Sequence, residues 1–439
     1  MSLIFYAWGE PKWIILMVGG TLVHYIGGLL IARTKKKSFA KIILAFCIFI
    51  SLGLLAVFKY YNFFIGEFNS IFNSSISSLR LTLPIGISFY TFQTITYTVD
   101  VYRKKAEPQK SFLKLLLYVC MFPQLIAGPI VKYVDVEKAL DNREINLAKF
   151  SDGLIRFSIG LFKKAVLANF FGKTVSEFLD GDLFASGSAG IWIGLIAYAF
   201  QIYFDFSAYS DMAIGLGKIL GFDFPENFNY PYEATSINEF WKKWHISLTT
   251  FFREYLYIPL GGNRKHHVFN LFIVWLLTGL WHGAATNFIL WGLYYFVFIS
   301  LEKFFFSDIF KKVPGMINHT IGRFYTLFVV LMGWLLFYFE DMSKLKTALW
   351  LMFNQKESTV FLDPSGYILG RIFLIILAVF ACTRIPANIA KYSKNIFKKN
   401  KVLKMTNDVL NFVFVFALLF ISTACLVGTT YNPFLYFRF

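Results

Sequence analysis

The sequence of 439 residues predicts an all-α integral membrane protein with one polytopic domain, residues 1–439. Hydrophobic residues make up 57% of the chain, whereas a soluble domain has roughly 45–50%. Apolar runs of about 20 residues, long enough for a helix to cross a hydrocarbon layer of roughly 30 Å, recur along the whole length. Because no stretch of soluble composition separates these runs, we expect no additional soluble domain.

Nine apolar segments are long enough to be predicted as membrane-spanning helices. They are residues 12–32, 42–65, 112–131, 189–208, 267–284, 287–306, 320–339, 367–387 and 408–430. Two weaker segments, 81–100 and 150–170, contain glycine, proline or charged residues, which are tolerated at membrane depth where they pack on protein or line a watery cavity. We therefore expect both weaker segments to face inward. No internal repeat is evident, which argues against a transporter built from repeats.

Residues 204–267 are too polar to span a membrane, although aromatic residues are frequent among them. Within this region SINEFWKKWHISLTTFFREYLYIPL (236–260) has the pattern of one amphipathic helix, with Ser236 as N-cap and Glu239 at the capping-box position. Such helices commonly lie at the membrane interface or fold back into the protein. We predict that this one carries a polar group into the bilayer.

The basic residues indicate how the chain is oriented. There are 43 Lys and Arg against 26 Asp and Glu, and the basic residues cluster in short loops between apolar runs. We interpret this pattern as membrane topology rather than as nucleic-acid binding. The positive-inside tendency places loops 32–41, 102–110 and 391–404 in the cytoplasm, so both termini are predicted to lie outside it.

Two further features of the sequence carry negative predictions. The first apolar run is preceded by Glu10 instead of a basic region and has no small-residue cleavage site, so we expect no removable signal peptide. The cysteines stand singly, without the paired spacing of a metal site or a disulfide, and are interpreted as buried residues without a chemical role. They are Cys47, Cys120, Cys382 and Cys425.

The six histidines fall into three groups by their surroundings. His266, His267 and His319 lie in or beside polar loops, where a solvated surface position is favoured. His24 lies in a glycine-rich span, where a hydrogen-bonded contact between helices is favoured over a functional role. His245 and His282 remain as candidates for chemistry.

His282 lies in GLWHGAATNFILWG (279–292), at the junction of two apolar segments. An ionisable residue at membrane depth is a functional candidate, and glycines beside it allow close approach of a ligand or backbone. Desolvation favours the neutral imidazole, which can accept a proton from a hydroxyl group. The alternative is a histidine hydrogen-bonded to a neighbouring helix. His245, flanked by Trp244, is either a second member of the site or an interfacial residue.

Other familiar sites are missing from the sequence. It contains no nucleophile elbow, Walker loop, H-E-x-x-H motif or cysteine cluster, and two histidines without matched carboxylates do not predict a metal site. Asp205 and Asp211 flank SAYS near what is predicted to be a helix end. Capping or pairing with lysine is favoured over lining a channel for these two residues.

Several motifs together resemble a known family. QIYFDFSAYSDMAIGLGKILGFDFPENFNYPY (201–232), the segment 236–265, TGLWHGAATNFILWGLY (278–294) and the terminal NPFLYFRF occur in this order. LPIGISFYTFQTITYTVDVYR and FPQLIAGPIVKY precede them. The chain thus resembles the bacterial branch of the membrane-bound O-acyltransferase family, and in particular the membrane subunits of alginate and peptidoglycan O-acetyltransferases, over residues 85–439.

The resemblance implies a fold and a site. The implied fold is a ring of tilted helices around a thin centre, with a cytoplasmic funnel formed largely by residues 204–267. His282, in the family's WHG motif, is implied to be catalytic, and His245 is implied to share the reaction chamber. We add six candidate substrate-binding residues, of which the three cations suit a phosphate-bearing donor or, alternatively, anionic lipid. They are Trp281, Asn287, Trp244, Arg253, Lys242 and Lys243.

The function implied by the resemblance is transfer of an acetyl group from a cytoplasmic thioester, acetyl-CoA, across a bacterial cytoplasmic (inner) membrane for O-acetylation of a cell-envelope or extracellular polysaccharide. No tightly bound cofactor or metal is expected. The implied partners are an extracytoplasmic acetyltransferase of the serine-hydrolase type, membrane lipid and, indirectly, the polysaccharide. The alternatives are D-alanyl transfer to teichoic acid from a carrier protein and a transporter or flippase, which needs no base at His282.

Overall fold

The computed structural model describes residues 1–79, 81–126, 128–306, 315–354, 364–397, 401–427 and 433–435. These residues form helices and connecting loops, and no strand occurs among them. We number the α-helices α1 (Ser2–Gly9), α2 (Ile14–Arg33), α3 (Lys37–Phe72), α4 (Ile87–Tyr102), α5 (Phe112–Cys120), α6 (Tyr133–Asp141), α7 (Leu147–Phe162), α8 (Asn169–Val175), α9 (Leu183–Ile219), α10 (Ile237–Lys243), α11 (Ile246–Phe252), α12 (His267–His282), α13 (Thr286–Leu301), α14 (Gly315–Tyr338), α15 (Met342–Phe353), α16 (Pro364–Leu369), α17 (Ile372–Ala381), α18 (Ile385–Phe397) and α19 (Lys401–Leu426).

Six helices in the described part of the chain are long and apolar enough to cross a membrane: α2, α3, α9, α13 with the turn that follows it, α14 and α19. Each corresponds to a predicted span. The protein is therefore a multi-pass all-α membrane protein, as the composition predicts.

Three predicted spans take another form. The segment 112–131 is wrong as a span, because α5 ends at Cys120 and the chain then turns before Pro129. Segment 267–284 is α12, an apolar helix of only 16 residues. Segment 367–387 overlaps α17 and α18, which are bent by 69° to each other and count as one span at most. Apolar length alone does not reveal such breaks.

Helix α4 shows why the weaker segment 81–100 faces inward. Every residue from Ile87 to Val101 is buried, including four threonines, a glutamine and Asp100. Thr94 and Thr96 donate to carbonyls of the same helix. Thr98, together with Ser51 of α3, contacts the two ring nitrogens of His24, at 2.6 and 2.7 Å. His24 therefore connects α2 to α3 and α4, which confirms the prediction that it makes a hydrogen-bonded contact between helices.

The segment 150–170 also faces inward, against α9. Lys164 Nζ lies 2.6 Å from an Asp205 carboxylate oxygen, and Lys163 Nζ lies 2.7 Å from Asp211. Arg156 also pairs with Asp211. Pairing of both aspartates with lysine confirms that prediction, but their placement at a helix end is wrong. Helix α9 has a kink at Gly187, where φ is 65°, and then continues through both aspartates to Ile219. The polar region therefore begins later than residue 204.

The single amphipathic helix predicted for 236–260 is broken into α10, α11 and a π-helical turn, Arg253–Tyr257. The break lies at His245, whose backbone is left-handed with φ 43° and ψ 55°. The N-cap is as predicted, because the Ser236 side chain accepts a hydrogen bond from the Glu239 amide. The capping box is not, because the Glu239 carboxylate bonds to the residue before the N-cap. The Glu239 carboxylate accepts from the amide and hydroxyl of Thr235.

The cysteines differ in exposure. Cys47, Cys120 and Cys382 are buried and free, as predicted, but Cys425 is exposed on α19. The expectation for Cys425 was wrong because an apolar segment of a membrane protein does not have to face the protein interior: many large apolar side chains of α19 are exposed as well.

Candidate active site

His282 is the last residue of α12, and its position is fixed by α3. The carbonyl oxygens that end an α-helix lack partners within the helix. Tyr60 donates a hydrogen bond of 2.6 Å to the carbonyl of Leu280. The Lys59 ammonium donates to the carbonyls of Trp281 and His282, the latter at 3.1 Å. A cation also suits the negative end of the helix dipole.

Glycines allow α13 to cross closely over the end of α12. A Cβ atom on Gly279 would lie 2.3 Å from the carbonyl oxygen of Phe288, and one on Gly292 would lie 2.4 Å from that of Trp275. The carbonyl of a neighbouring helix occupies the space that a side chain would need. The close approach expected from the glycines around His282 is therefore made by protein backbone.

The His282 side chain lines a small, partly open cavity of about 40 Å³. The walls are mainly aromatic and come from α9, the loop before α11, α13 and α14; among them are Phe206, Trp244, Trp291, Trp334 and Phe337. Trp291 and Phe337 meet the imidazole edge to face, with ring centroids 4.9 and 5.1 Å away. These contacts hold the ring in place. His282 is only half-buried, and its side chain is accessible from the cavity.

A short C-terminal segment forms another part of this wall. Phe434 and Leu435 line the cavity. The Leu435 amide donates to Asp205 at 2.6 Å, and Lys164 donates to the carbonyl of Pro433 at 2.7 Å. The buried Lys164–Asp205 ion pair thus holds the segment 433–435 against the site.

His245 is buried beside the same cavity and does not line it. Its ring meets Phe206, a cavity residue, edge to face at 4.6 Å. Its Nδ1 atom lies 3.1 Å from Oδ1 of Asn227, and its Nε2 atom is buried with no hydrogen-bond partner among the described residues. A left-handed backbone at a residue other than glycine is strained, and such strain is common at functional sites.

Trp281 connects the two histidines. Its ring centroid lies 4.8 Å from that of His282 and 5.9 Å from that of His245. The other side of Trp281 stacks on Phe92 of α4 at 5.8 Å. The structure therefore brings both predicted histidines and Trp281 into one cluster, with Trp244 in the cavity wall.

Asn287 is buried behind this cluster. Its amide nitrogen donates to the carbonyls of Leu336 and Phe337 at 3.3 and 3.2 Å, so it ties α13 to the end of α14. Since Phe337 touches His282, Asn287 supports the wall of the cavity without lining it.

The three predicted cations do not line the cavity. Lys242 and Arg253 are exposed, whereas Lys243 forms an ion pair of 2.6 Å with Glu239. Burial opposes ionisation of Glu239, but hydrogen bonds from Lys243 and Thr235 outweigh it and lower the pKa of Glu239 to about 2. Lys243 is thus paired with a carboxylate at neutral pH, and Lys242 and Arg253 are the cations of this set that solvent can reach.

Sequence reasoning missed Lys59, Tyr60 and Asn227. Lys59 and Tyr60 meet the end of α12 across more than 200 residues of chain, and nothing in the run FKYYNFF points to that contact. Asn227 lies within FPENFNYPY, which directly precedes the segment that carries His245. A side-chain amide in a polar stretch close to a candidate histidine is a weak indication that the two side chains interact.

A multi-pass helical protein in which a histidine at a helix end faces a small, aromatic-walled cavity has the construction of a membrane-embedded enzyme. The membrane-bound O-acyltransferase family matches residues 39–339. The chain belongs to this family, and it is an O-acyltransferase.

Curated relatives support the assignment. A probable alginate O-acetylase of Pseudomonas putida is 41% identical over 352 residues, which cover 78% of this chain and 71% of that protein. The peptidoglycan O-acetyltransferase of Helicobacter pylori is 35% identical over 390 residues, covering 81% of this chain and 70% of that protein. The teichoic acid D-alanyltransferase of Bacillus subtilis is 28% identical over 238 residues, which cover 50% of this chain and 59% of that protein.

Proposed function

We propose that this protein transfers an acetyl group from a thioester donor for O-acetylation of a polysaccharide of the cell envelope. The observation that carries the proposal is His282 at the wall of a compact aromatic cavity. The names of the relatives supply the group and the acceptor class, because those with 35% and 41% identity are named for acetyl transfer to peptidoglycan and alginate.

In the proposed reaction, a hydroxyl oxygen attacks the thioester carbonyl and the carbon–sulfur bond breaks. The imidazole of His282 takes the hydroxyl proton, and that proton can pass to the departing thiolate. Positioned acid–base groups of this kind typically contribute about 10²–10⁴-fold in rate. In this proposal the aromatic walls limit the access of water to the thioester, which disfavours its hydrolysis.

The proposed donor is acetyl-CoA on the cytoplasmic side of a bacterial inner membrane, and the acyl group leaves on the opposite side. The C-terminal segment 433–435 and the aromatic side chains leave space for a small acyl group beside His282. We further propose that a separate extracytoplasmic acetyltransferase of the serine-hydrolase type completes delivery to the polysaccharide. The protein itself needs no tightly bound cofactor in this scheme.

The donor can be tested with purified protein in lipid nanodiscs. We expect release of free CoA thiol from acetyl-CoA, at a rate that rises when a serine-hydrolase-type acetyltransferase is added together with alginate oligosaccharides or soluble peptidoglycan fragments. Consumption of a D-alanyl carrier-protein thioester with no consumption of acetyl-CoA would instead assign the protein to D-alanyl transfer. If neither thioester is consumed, the proposed reaction is wrong.

The exposed cations provide a test of donor binding. Because Lys242 reaches solvent and Lys243 is paired with Glu239, we expect Lys242→Gln to raise the apparent KM for acetyl-CoA at low salt more than Lys243→Gln does. The difference should shrink as salt screens the exposed charge. An unchanged KM in Lys242→Gln at low salt would leave contact with anionic lipid as the role of this cation.

A further inference from the structure

Asn227 is fully buried, and its side chain connects His245 and Ser247 to Ser210 of α9. Its side-chain oxygen accepts hydrogen bonds from the amide and the hydroxyl of Ser247, at 3.2 and 2.8 Å. The same oxygen lies 3.1 Å from His245 Nδ1. On the other side, the Asn227 amide nitrogen donates to the Ser210 hydroxyl at 3.1 Å.

These contacts fix which end of the Asn227 amide faces His245. The backbone N–H of Ser247 can only donate, so the atom that it meets must be the amide oxygen. A flipped amide would place two donors against each other. The orientation of the side chain follows from the hydrogen-bond network and not from an assumption about its two ends.

The orientation of the amide in turn fixes the tautomer of His245. An oxygen that accepts from Nδ1 requires a proton on Nδ1, and a neutral imidazole carries only one. The second nitrogen, Nε2, therefore holds a lone pair. This atom is buried and has no hydrogen-bond partner among the described residues. A buried acceptor without a partner is costly in a folded protein, which suggests that it receives a donor during function.

The backbone of Asn227 has a separate role. Its carbonyl accepts from the Ile246 amide at 2.9 Å, and this bond holds the turn at His245 whatever the side chain is. The Ser247 hydroxyl also accepts from the Ile130 amide at 2.9 Å. The side chain of residue 227 can therefore be changed while these two backbone contacts remain.

We propose that Asn227 is a positioning residue, which holds His245 as the Nδ1–H tautomer and so makes Nε2 the atom that accepts a proton or hydrogen bond at the site. The proposal rests on the proposed acyl transfer for its kinetic consequence. His245 contacts Phe206, and Phe206 lines the same cavity as His282. Orientation of a functional imidazole by a partner on its other nitrogen is a general device.

The tautomer can be measured without any assay of transfer. In protein labelled with ¹⁵N-histidine and reconstituted in lipid, the His245 signal is assigned by its loss in His245→Gln. We expect Nε2 to give the signal of an unprotonated ring nitrogen in the wild type. Asn227→Asp keeps an acceptor and should keep this tautomer, whereas Asn227→Leu should yield a mixture of tautomers. Ser210→Ala, which removes only the partner of the amide nitrogen, is the matched control and should resemble the wild type.

Kinetics then tests whether the tautomer matters. We expect Asn227→Leu to lower kcat by about 10- to 100-fold with little change in KM, the usual cost of losing the partner of a functional imidazole. Asn227→Asp should retain more activity and move the acid limb of the pH profile to higher pH, because a carboxylate stabilises imidazolium. In the His245→Gln background, Asn227→Leu should cost nothing further.

The outcomes separate the assignment from the proposed function. Retention of the Nδ1–H tautomer in Asn227→Leu would overturn the positioning role, whatever reaction the protein performs. An additive loss of kcat in the double variant would also overturn it, since Asn227 would then act independently of His245. A wild type that shows the expected tautomer but consumes neither thioester contradicts only the acyl-transfer proposal.

Discussion

Lys59 is the residue outside the predicted site whose contacts bear most directly on His282. Its ammonium group caps the last two carbonyls of α12, and hydrogen bonds from a charged group contribute about 1.5–3 kcal/mol each. We expect Lys59→Met to lower the unfolding free energy by about 1.5–3 kcal/mol for each bond lost and to slow transfer, because the end of α12 that carries His282 loses its restraint. Thermal unfolding in detergent and the thioester assay measure the two effects.

Lys41→Met is the control for Lys59→Met, because Lys41 is an exposed lysine on the same helix. The control should unfold and react as the wild type does. Equal stability and rate in Lys59→Met and Lys41→Met would show that the cap on α12 does not support His282.

At the scale of single residues, the sequence predicted the histidines better than it predicted their partners. His282 and His24 could be interpreted from their local surroundings, since an ionisable group in an apolar run needs a partner or a function. The partners Lys59 and Asn227 could not, because they depend on which helices meet. The Lys59 contact joins residues separated by 223 positions.

At the scale of helices, composition predicted spans but not breaks. The pattern of 236–260 is amphipathic throughout, and nothing local forces the left-handed backbone at His245. That conformation is supported by tertiary contacts, including the bond from the Ile246 amide to the Asn227 carbonyl. The end of α5 at Cys120, by contrast, is followed by Pro123, Gly128 and Pro129, which were available signals against a continuous span.

The close crossing of α12 and α13 predicts that Gly279 cannot be replaced by alanine without a loss of stability. A Cβ on Gly279 would lie 2.3 Å from a backbone carbonyl oxygen of α13, so Gly279→Ala must separate the two helices. Overpacking of this kind typically costs about 1–3 kcal/mol. We expect a lower unfolding temperature and slower transfer, since the shift displaces His282.

Gly53→Ala provides the matched control for this crossing. It also lies within a helix, and a Cβ there would meet no atom within 4 Å. Its stability should equal or slightly exceed that of the wild type, because alanine favours helix more than glycine does. If the two alanine variants behave alike, the close contact of α12 and α13 has no energetic importance.

At the scale of the whole molecule, long-range contacts complete the site. The cavity wall combines residues of α9, α13 and α14 with Phe434 and Leu435 near the end of the chain. The sequence predicted an all-α membrane fold from composition, and the ordered motifs predicted which segments share a function. Neither source could show that Lys164 and Asp205 bind the segment 433–435, because this contact joins positions 230 and 269 residues apart.

The orientation of the molecule in the membrane remains a prediction from charge. Five basic residues between 33 and 41 and six lysines between 391 and 404 place both loops in the cytoplasm. In a Cys425→Ser background, which removes the exposed native cysteine, a cysteine introduced in place of Asn395 should resist a membrane-impermeant thiol reagent in intact cells. It should react once the membrane is opened. Labelling in intact cells would reverse the predicted orientation.

The claim that His282 performs the chemistry of acyl transfer can be tested by comparing transfer rates. Acetyl transfer is measured for the wild type and for His282→Ala, each purified and reconstituted in nanodiscs at equal amount. His319→Ala, which removes an exposed histidine, serves as the control. We expect His282→Ala to fold and bind donor but to lose about 10²–10⁴-fold in rate, while the control keeps full activity. Transfer by correctly folded His282→Ala at the rate of the wild type would contradict the claim and leave this histidine with a packing role.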